Sequence, residues 1–384
     1  MDVLIIGAGA AGLMAARELG RTKKKVVILE ARDRIGGRIH TLTDPSFASP
    51  VECGAEFIHG DLELTISLLN EAGIKFHETS GDLWRSVNGR LEKQHDFIED
   101  QQELIEKLKS LQHDMNVREF LETYFNGEEY ADLRRSLTSF VEGYDAADAD
   151  HASCFALLQE MMGEEGANTR IEGGYMRLLD HLASECIRNG TEIHLSTVVS
   201  AITWKTGEAI VTTAEGKVFT APSLIITLPV SILQLEKGSS GHVSITPFPE
   251  NIFRAIQSLG STGVIKVILQ FKNAFWNQLA KTGSDKPPEI GFIFSDATIP
   301  TWWTQLPDEN AMITGWLAGP AALKLAESSE EEILKIALES LSVIFNVDLE
   351  KISSGLIAHH IRNWTADPYT RGAYAYEKVD SKNA

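Results

Sequence analysis

The feature that most constrains this fold is a glycine-rich loop between a short apolar run and a helical pattern, close to residue 1. Residues 3–6 are an unbroken aliphatic run, which is typical of a buried parallel strand. The sequence Gly-Ala-Gly-Ala-Ala-Gly follows at residues 7–12, and apolar residues then recur at helical spacing. Such a unit lets the backbone approach a pyrophosphate at a helix N-terminus. The residues predicted to form this nucleotide site are Gly7, Gly9, Ala10, Ala11 and Gly12. Gly7 permits the tight turn, Gly9 the close approach to the pyrophosphate, and Gly12 the packing of helix against strand.

A second apolar run supports the same fold. Glu30 directly follows the apolar residues 26–29 and lies about 20 positions beyond the glycines. A carboxylate at this position can accept hydrogen bonds from a ribose. Strand, loop, helix, strand and acid therefore occur in the order of a Rossmann-like, α/β dinucleotide-binding domain with a parallel sheet. This pattern does not by itself distinguish NAD from FAD.

Size and composition limit the remaining possibilities. The chain has 384 residues, more than the ~250–300 at which one hydrophobic core stops growing, so we expect two domains. Its net charge is -19, which argues against partners such as nucleic acid or an anionic membrane. No apolar run reaches the ~18 residues of a membrane span. Cys53, Cys154 and Cys186 are too sparse for a disulfide framework or a zinc site, so we expect a reducing, cytoplasmic setting. We also expect a monomer or homodimer.

The middle of the chain, from residue 61 to about 165, has mostly helical periodicity and many charges. We expect a helical lobe that caps a substrate cavity. Its carboxylates either form a solvated helix face or attract a cationic ligand, and the sequence favours the solvated face. The carboxylates considered are Glu128, Glu129, Asp145, Asp148 and Asp150.

Three patterns stand out in the second half. Residues 224–228 are predicted to form a further buried strand closed by Pro229, and Ser329-Glu330-Glu331-Glu332 predicts a capping box that opens a long helix. Lys266 interrupts a run of branched residues and shares a face with its second neighbours along the strand. Because a buried ammonium is costly, Lys266 is either a functional residue or an edge-strand lysine that reaches solvent.

Two segments near the N-terminus resemble the flavin-binding motifs of the amine oxidase superfamily. The segment from Glu30 to Arg38 resembles the family's extended flavin fingerprint, and residues 52–60 resemble the segment that runs under the flavin ring. His59-Gly60 matches the spermine and acetylpolyamine oxidase branch, which would place His59 in the cavity as a catalytic residue that binds or repels an ammonium depending on pH. The alternative is a loop histidine without a ligand. The cofactor contacts implied by the resemblance are Glu30, Ala31, Arg32, Gly36, Gly37, Arg38, Gly54, Ala55, Glu56 and Phe57.

The resemblance also implies roles further along the chain. Lys266 would reach a water that is hydrogen-bonded to flavin N5, and the backbone at Val199 would contact the adenine edge. Trp364 would contact the flavin, and Tyr374 would form one wall of an aromatic cage for the amine. Ala373 replaces the cysteine that monoamine oxidases bond to the flavin, so FAD would be noncovalent.

The implied architecture has two domains. Residues 1–60, 167–240 and 350–384 would form a discontinuous FAD-binding domain. Residues 61–166 and 241–349 would form a substrate domain that joins the helical lobe to a mixed sheet flanked by helices. The implied reaction transfers a hydride equivalent from a small-molecule amine, a polyamine or monoamine, to FAD. The resulting imine is hydrolysed to an aldehyde, and oxygen is reduced to hydrogen peroxide.

The chain departs from the family at its end. Family members continue through a Phe-Ala-Gly-Glu segment and a glycine-rich helix, and nothing similar follows Tyr376. We expect either a truncated sequence or a flavin site that lacks this part. Alternatives within the fold are a desaturase or an L-amino-acid oxidase, whose carboxylate clamp neither Arg362 nor Arg371 clearly supplies. A flavin-binding protein without turnover is the alternative from another class.

Overall fold

The structure is a computed structural model that describes residues 1–60, 62–94, 97–98, 101–163, 167–278, 288–379 and 381. Its α-helices are α1 Ala10–Arg21, α2 Glu63–Ala72, α3 Gln101–Ser110, α4 Val117–Tyr124, α5 Ala131–Ser139, α6 Cys154–Met161, α7 Met176–Arg188, α8 Val230–Leu233, α9 Glu250–Ser258, α10 Gly319–Lys324, α11 Glu330–Phe345 and α12 Leu349–Gly355. A π-helical turn spans Phe140–Tyr144, and short 3₁₀ turns span Glu128–Tyr130 and Phe275–Gln278.

The strands follow in chain order. They are β1 Val3–Ile6, β2 Val26–Leu29, β3 Thr41–Leu42, β4 Val51–Glu52, β5 Phe57–His59, β6 Phe76–Glu78, β7 Asp82–Val87, β8 Arg90–Gln94, β9 Asn168–Ile171, β10 Glu192–His194, β11 Val199–Lys205, β12 Glu208–Thr213, β13 Val218–Ala221, β14 Ser223–Ile226, β15 Ser244–Thr246, β16 Leu259–Ser261, β17 Gly263–Phe271, β18 Ile290–Phe294, β19 Thr301–Thr304, β20 Met312–Ala318, β21 Leu356–Asn363 and β22 Ala375–Glu377.

A four-stranded parallel sheet forms the predicted dinucleotide-binding unit. Its order is β10-β2-β1-β14, and every pairing in it is parallel. β1 and β2 are fully buried, and one sheet face packs against α1 and α7 through Leu13, Leu179 and Leu182. The Rossmann-like part of the fold prediction is therefore confirmed.

One strand of this sheet differs from its prediction. Residues 224–228 were expected to form a buried strand, but β14 is half-buried and its first residue, Ser223, is exposed. The reason is its place in the sheet, because β14 is an edge strand that pairs with β1 alone. An apolar run reports the tendency to bury a strand but not its position in the sheet.

A seven-stranded mixed sheet forms the second large layer, in the order β21-β17-β20-β19-β18-β7-β8. α11 covers one face of it, and Ile333, Ala337 and Leu341 join the same core cluster as strand residues of β17 and β20. The predicted capping box opens α11, since the Ser329 side chain accepts from Glu332 N–H and the Glu332 side chain accepts from Ser329 N–H. All nine residues of β17 are buried between β21 and β20, so Lys266 does not lie on an edge strand.

The predicted helical lobe has a core of its own, but it begins at α3 and not at residue 61. Residues 76–94 include the strands β6, β7 and β8, and β7 and β8 pair into the mixed sheet. Helices α3 to α6 and the π-helical turn enclose a cluster that includes Leu104, Phe120, Leu137 and Leu157. Two smaller sheets have the orders β13-β12-β11-β15 and β5-β9-β6, and the first of them shares a core cluster with β1 and β2. The proposed division into two domains stays a prediction, and its boundaries at residues 61, 166 and 384 lie outside the described residues.

Two further observations concern the chain as a whole. Cys53, Cys154 and Cys186 are all free and buried, which agrees with the absence of a disulfide framework from the sequence prediction. Within the described ranges, none of the helices is both long and apolar enough to cross a membrane.

Candidate active site

The glycine loop forms one wall of a cleft at the carboxyl ends of the parallel strands. Gly7 has a φ of 103°, a left-handed value that favours glycine, and a Cβ there would lie 2.6 Å from Thr227 Oγ1. A Cβ at Gly12 would overlap the carbonyl oxygen of Gly7, so Gly12 allows α1 to pack on the loop. A Cβ at Gly9 would have nothing closer than the Gly36 oxygen at 4.0 Å, so Gly9 opens directly onto the cleft.

The N-terminus of α1 faces the same space. Its N-cap is Gly9, no side chain caps it, and its first turn contains no acidic residue. Its first backbone N–H groups therefore keep hydrogen-bonding capacity, and the helix dipole favours an anion there. The cleft has a volume of about 360 Å³, and its lining includes Gly7, Gly9, Ala10, Ala11, Glu30, Ala31, Arg32, Gly36, Gly37, Arg38 and Val199.

Glu30 lies at the end of β2, where the sequence predicted a ribose-binding carboxylate. It is 6% exposed. Oε2 accepts from the N–H of Ala8 at 2.7 Å, and Oε1 accepts from the N–H of Arg32 at 2.9 Å. These bonds fix the carboxylate, and each oxygen keeps a further lone pair for a hydroxyl donor. Val199 also lines this cleft, and its predicted backbone contact with the adenine stays a prediction.

The arginines of the fingerprint have different environments. Arg32 is buried and pairs with Asp367 at 2.7 Å. Arg34 donates to the backbone carbonyls of residues 35, 37 and 39, and burial together with nearby Arg32 lowers its pKa to about 10. Arg38 donates to the carbonyl of Ala373, and no carboxylate among the described residues forms a salt bridge with it. Arg38 is therefore the fingerprint arginine best placed to meet an anionic ligand in the cleft.

Neither candidate for an amino-acid clamp is free. Arg362 forms an ion pair with Asp367, and its guanidinium carbon lies 4.4 Å from the centre of the Trp364 ring. Arg371 donates to the carbonyl of Ser240 at 3.3 Å. Both arginines thus have contacts that hold the protein's own segments together.

The cleft fits the dinucleotide part of FAD. Gly9 leaves room for close approach, and the uncapped end of α1 offers donors to a pyrophosphate. Glu30 offers acceptors to a ribose, and Arg38 offers a planar fork of donors to an anion. The side chains of Glu56 and Phe57 lie away from this cleft, toward the mixed sheet, so their predicted contact with the cofactor stays a prediction.

Lys266 is the central charged residue of the mixed sheet. It is 1% exposed. Its Nζ donates to Glu56 Oε2 at 2.6 Å and to the carbonyl of Gly54 at 3.1 Å, and it lies 5.3 Å from the centre of the Trp303 ring. The lysine thus contacts the segment that the family resemblance places under the flavin ring.

Glu56 is the counter-ion of this lysine, and it has three more donors. Arg170 approaches Glu56 Oε1 with Nη2 at 2.8 Å and Nε at 3.0 Å, and Trp303 Nε1 donates to the same oxygen at 3.0 Å. Burial opposes ionisation of this carboxyl, but the charges of Lys266 and Arg170 outweigh it and lower the pKa of Glu56. Lys266, Glu56 and Arg170 form a buried ion cluster with the Glu56 carboxylate at its centre.

An aromatic wall extends along the same face of the sheet. Ring centres are 5.6 Å apart for Phe57 and Trp303, 6.2 Å for Trp303 and Trp316, and 6.1 Å for Trp316 and Tyr374. Tyr374 is 43% exposed, so one end of the wall is open to an incoming molecule. Aromatic ring faces favour an amine that carries positive charge, and they exclude water.

His59 lies at the opposite end of this wall, beside the helical lobe. Its ring is 6.0 Å from that of Phe57 and 5.7 Å from that of Tyr144. Its Nδ1 lies 2.7 Å from Asn168 Oδ1 and 3.2 Å from the Tyr144 hydroxyl. His59 therefore lies at the end of the wall with its imidazole held by polar contacts, and its predicted place in the substrate cavity stays a prediction.

The cleft and the aromatic wall meet at one junction. Ala55 N–H donates to the carbonyl of Arg38 at 3.1 Å, while the Lys266 ammonium donates to Gly54. Arg38 in turn donates to Ala373, the neighbour of Tyr374. A ligand that fills the cleft would therefore approach the lysine and the aromatic wall at this point.

Trp364 supports the junction from below. It is 2% exposed, and its indole N–H donates to the carbonyl of Cys53 at 2.7 Å. A Cβ at Gly54 would lie 3.2 Å from the Trp364 ring and would overlap the carbonyl of Arg38. Trp364 thus packs under the Gly54 segment, and its predicted contact with the flavin stays a prediction.

The acidic residues of the lobe do not behave as one solvated face. Glu128, Glu129 and Asp150 are exposed, and Asp150 pairs with Arg118. Asp145 is partly buried, and burial together with the nearby Glu160 carboxylate raises its pKa to about 9. The expected solvated face therefore describes only part of this group.

Several site residues were missed from the sequence. Trp316 belongs to the aromatic wall, and no sequence pattern singled it out. Trp303 belongs to it as well, although the sequence left the Trp302-Trp303 pair open between shaping the cavity and simple packing. Arg170 lies 114 positions from its partner Glu56, and nothing local to either residue indicates the contact.

Comparison with known proteins agrees with this geometry. A family described as flavin containing amine oxidoreductase matches residues 10–383. Human lysine-specific histone demethylase 2 is 26% identical over 98% of this chain and 47% of its own length, so the chain spans about half of that protein. Rice polyamine oxidase 5 is 25% identical over 98% of this chain and 78% of its own length.

Solved structures show the same fold. A putrescine oxidase structure has a TM-score of 0.78 at 21% identity, covering 99% of this chain and 88% of that one. Cyclohexylamine oxidase from Brevibacterium oxydans IH-35A also has a TM-score of 0.78, at 20% identity and the same coverage. Because the family match spans nearly the whole chain, the protein belongs to the flavin-containing amine oxidoreductases.

Proposed function

We propose that this chain binds FAD noncovalently and oxidises a small-molecule amine, a polyamine or a monoamine, with release of hydrogen peroxide. The observation that supports this most directly is the junction of the dinucleotide cleft with the aromatic wall beside Lys266. When bound, FAD would accept a hydride equivalent from the carbon next to the amine nitrogen and pass the electrons to oxygen. The resulting imine would be hydrolysed to an aldehyde.

The protein's own part is binding and orientation. Gly9 and the N-terminus of α1 would hold the pyrophosphate, Glu30 a ribose, and Arg38 an anionic group of the cofactor. Lys266 Nζ would hold a water beside the reacting atoms, where its position is fixed by the Glu56 carboxylate. Correct orientation of this kind can supply a large part of a rate enhancement.

The aromatic wall would select and orient the amine. The rings of Trp316 and Tyr374 would guide the amine toward the junction and keep water out. The amine should react as the free base, because an ammonium has no lone pair to assist the loss of hydride. Activity should therefore rise from neutral to mildly alkaline pH.

Two residues near the junction favour noncovalent attachment of the flavin, because neither offers a reactive thiolate. Ala373 has no nucleophilic atom in its side chain. Cys53 is adjacent to the junction, but burial raises the pKa of its thiol to about 12, which makes a reactive thiolate unfavourable. Denaturation should therefore release the flavin from the protein.

The substrate class is supported by the lobe and by the relatives. Burial and the nearby Asp145 carboxyl raise the pKa of Tyr374, so Asp145 of the lobe lies close to the aromatic wall. The relatives include enzymes called polyamine oxidase and putrescine oxidase. Arg362 and Arg371, the two arginines considered for a carboxylate clamp, have contacts within the protein instead. We retain the prediction of a cytoplasmic enzyme because all three cysteines are free.

The test is a panel assay of hydrogen peroxide formation and oxygen uptake by the FAD-loaded protein. The panel contains putrescine, spermidine, a simple monoamine, a dimethyl-lysine peptide and an L-amino acid. Peroxide formation with a polyamine or monoamine supports the proposal. Turnover with the amino acid alone would favour the amino-acid oxidase alternative. Bound flavin without turnover of any amine would favour a desaturase or a noncatalytic flavin-binding protein.

A further inference from the structure

The hydrogen bonds of Lys266 leave one position of its nitrogen open. An ammonium has three N–H donors, and two of them meet Glu56 Oε2 and the Gly54 carbonyl. Among the described residues, no third acceptor lies within hydrogen-bond distance of Nζ. A neutral amine could make the same two bonds, but its third position would then be a lone pair. The protonation state of Lys266 therefore decides whether the site receives a donor or an acceptor.

The Glu56 carboxylate is oriented to control this choice. Its Oε1 is occupied by Arg170 and by Trp303, which come from β9 and β19. That arrangement leaves Oε2 for Lys266 on β17. The side chains of Glu56 and Lys266 are 5% and 1% exposed, so water screens their attraction little. A carboxylate fixed at this point is the acceptor with which an ammonium forms a charge-assisted hydrogen bond.

We propose that Glu56 is a positioning residue that holds Lys266 as an ammonium, so that its third N–H is presented as a donor at the junction of cleft and aromatic wall. The role of this donor in catalysis rests on the proposed function. The ion pair itself can be tested without any cofactor. Arg170 has the complementary role, because its two bonds keep the carboxylate from rotating away from the lysine.

Other titratable and charged groups face Lys266 as well. Arg362 is its cross-strand neighbour on β21, and Cys53 and Glu52 approach from the β4 side. Burial raises the pKa of Glu52 to about 7, so Glu52 changes charge in the range where activity would be measured. A variant of Glu52 is therefore the control that any pH experiment on Glu56 requires.

The first measurement uses the cofactor-free chain. Glu56→Gln, Lys266→Met, the double variant and Glu52→Gln are unfolded by heat and urea between pH 6 and pH 10. Glu56→Gln leaves two buried cations without an anion, and the fold then favours the neutral lysine while the unfolded chain keeps its proton. Stability of this variant should therefore rise with pH relative to the unmutated protein. The double variant should lose this pH dependence and should be more stable than Glu56→Gln alone.

The second measurement uses the flavin-loaded chain. The rate of flavin reduction by the best amine of the panel is followed against pH. Glu56→Gln should add to this pH profile a transition that the unmutated protein lacks between pH 6 and pH 10. Above the pH of that transition, the rate should be lower by about tenfold or more. Glu56→Asp keeps the charge and should restore the original profile in part. Glu52→Gln should not produce the added transition.

Two results would overturn the proposal. One is a loss of stability in Glu56→Gln that is equal at every pH and is not relieved by Lys266→Met. The other is a pH profile of Glu56→Gln that has the same shape as that of the unmutated protein. If Glu56→Gln alone does not fold, recovery of folding in the double variant supports the ion pair, and its failure refutes it. If the chain binds no flavin, the proposed function fails, but the first measurement still decides the role of Glu56. Failure of the Glu56 proposal can therefore be distinguished from failure of the proposed function.

Discussion

The same substitution at two glycines of the loop should have opposite effects. Gly9 has φ −75° and ψ −177°, values that alanine adopts without strain, and its Cβ would point into open space. At Gly12 a Cβ would overlap the backbone oxygen of Gly7 inside the packed contact between α1 and the loop. Gly9→Ala should therefore leave the fold intact and obstruct the cleft, while Gly12→Ala should damage the fold itself.

The magnitudes follow from these contacts. Gly9→Ala should leave the free energy of unfolding unchanged or raise it by up to about 1 kcal/mol, because alanine restricts the unfolded chain. A methyl group where a pyrophosphate must approach should weaken FAD binding by about 1–3 kcal/mol, or roughly 5- to 150-fold. At Gly12, overlap with backbone should cost about 3 kcal/mol, which exceeds the ~1 kcal/mol that alanine gains over glycine in a helix.

The assay combines urea unfolding of the cofactor-free proteins with FAD titration followed by flavin fluorescence. We expect a normal unfolding midpoint with weakened FAD binding for Gly9→Ala, and a lowered midpoint for Gly12→Ala. If Gly9→Ala binds FAD as tightly as the unmutated protein, the cleft at Gly9 is not where the pyrophosphate lies. If Gly12→Ala unfolds at the normal midpoint, the packing described here is wrong.

Three further outcomes are expected. Lys266→Met should keep FAD bound and slow amine-driven flavin reduction by at least about tenfold. Lys272 is an exposed lysine that follows the same strand, and Lys272→Met should not slow this reaction. Equal rates for the two variants would remove Lys266 from the mechanism. Burial raises the pKa of Glu52 to about 7, so its stabilising effect is lost as pH rises through that value. Glu52→Gln should therefore flatten the dependence of the free energy of unfolding on pH between pH 5 and pH 8, as measured by urea unfolding. An unchanged pH dependence would refute this assignment. Tyr374→Ala should raise KM for the amine about 3- to 30-fold while Tyr374→Phe changes it little, and equal KM values would argue against a role for the Tyr374 ring.

The local features of this fold could be predicted from the sequence. The strand, glycine loop and helix of residues 3–21 depend on adjacent residues, and so does the capping box at Ser329. Lys266 could also be identified, because an ammonium within an apolar strand indicates a buried charge with a partner. Each of these signals lies within a few positions of the residue that it describes.

The partners of those residues could not be predicted in the same way. Lys266 and Glu56 are 210 positions apart, and Arg32 and Asp367 are 335 apart, so the contacts depend on how distant strands pack. Arg32 was expected to contact the cofactor, and nothing in the sequence indicated that its guanidinium pairs with Asp367. The aromatic wall depends on strand register, which places Trp316 opposite Lys266 in neighbouring strands.

Oxygen-free reduction of bound flavin by an amine tests the central claim most directly. The chain is loaded with FAD, unbound cofactor is removed, and the visible absorption spectrum is recorded as putrescine, spermidine or a monoamine is added. We predict a flavin band that remains with the protein, bleaches with at least one of these amines and returns when oxygen is admitted. A bound flavin band that no amine bleaches would contradict amine oxidation, and the absence of a retained band would contradict the FAD site itself.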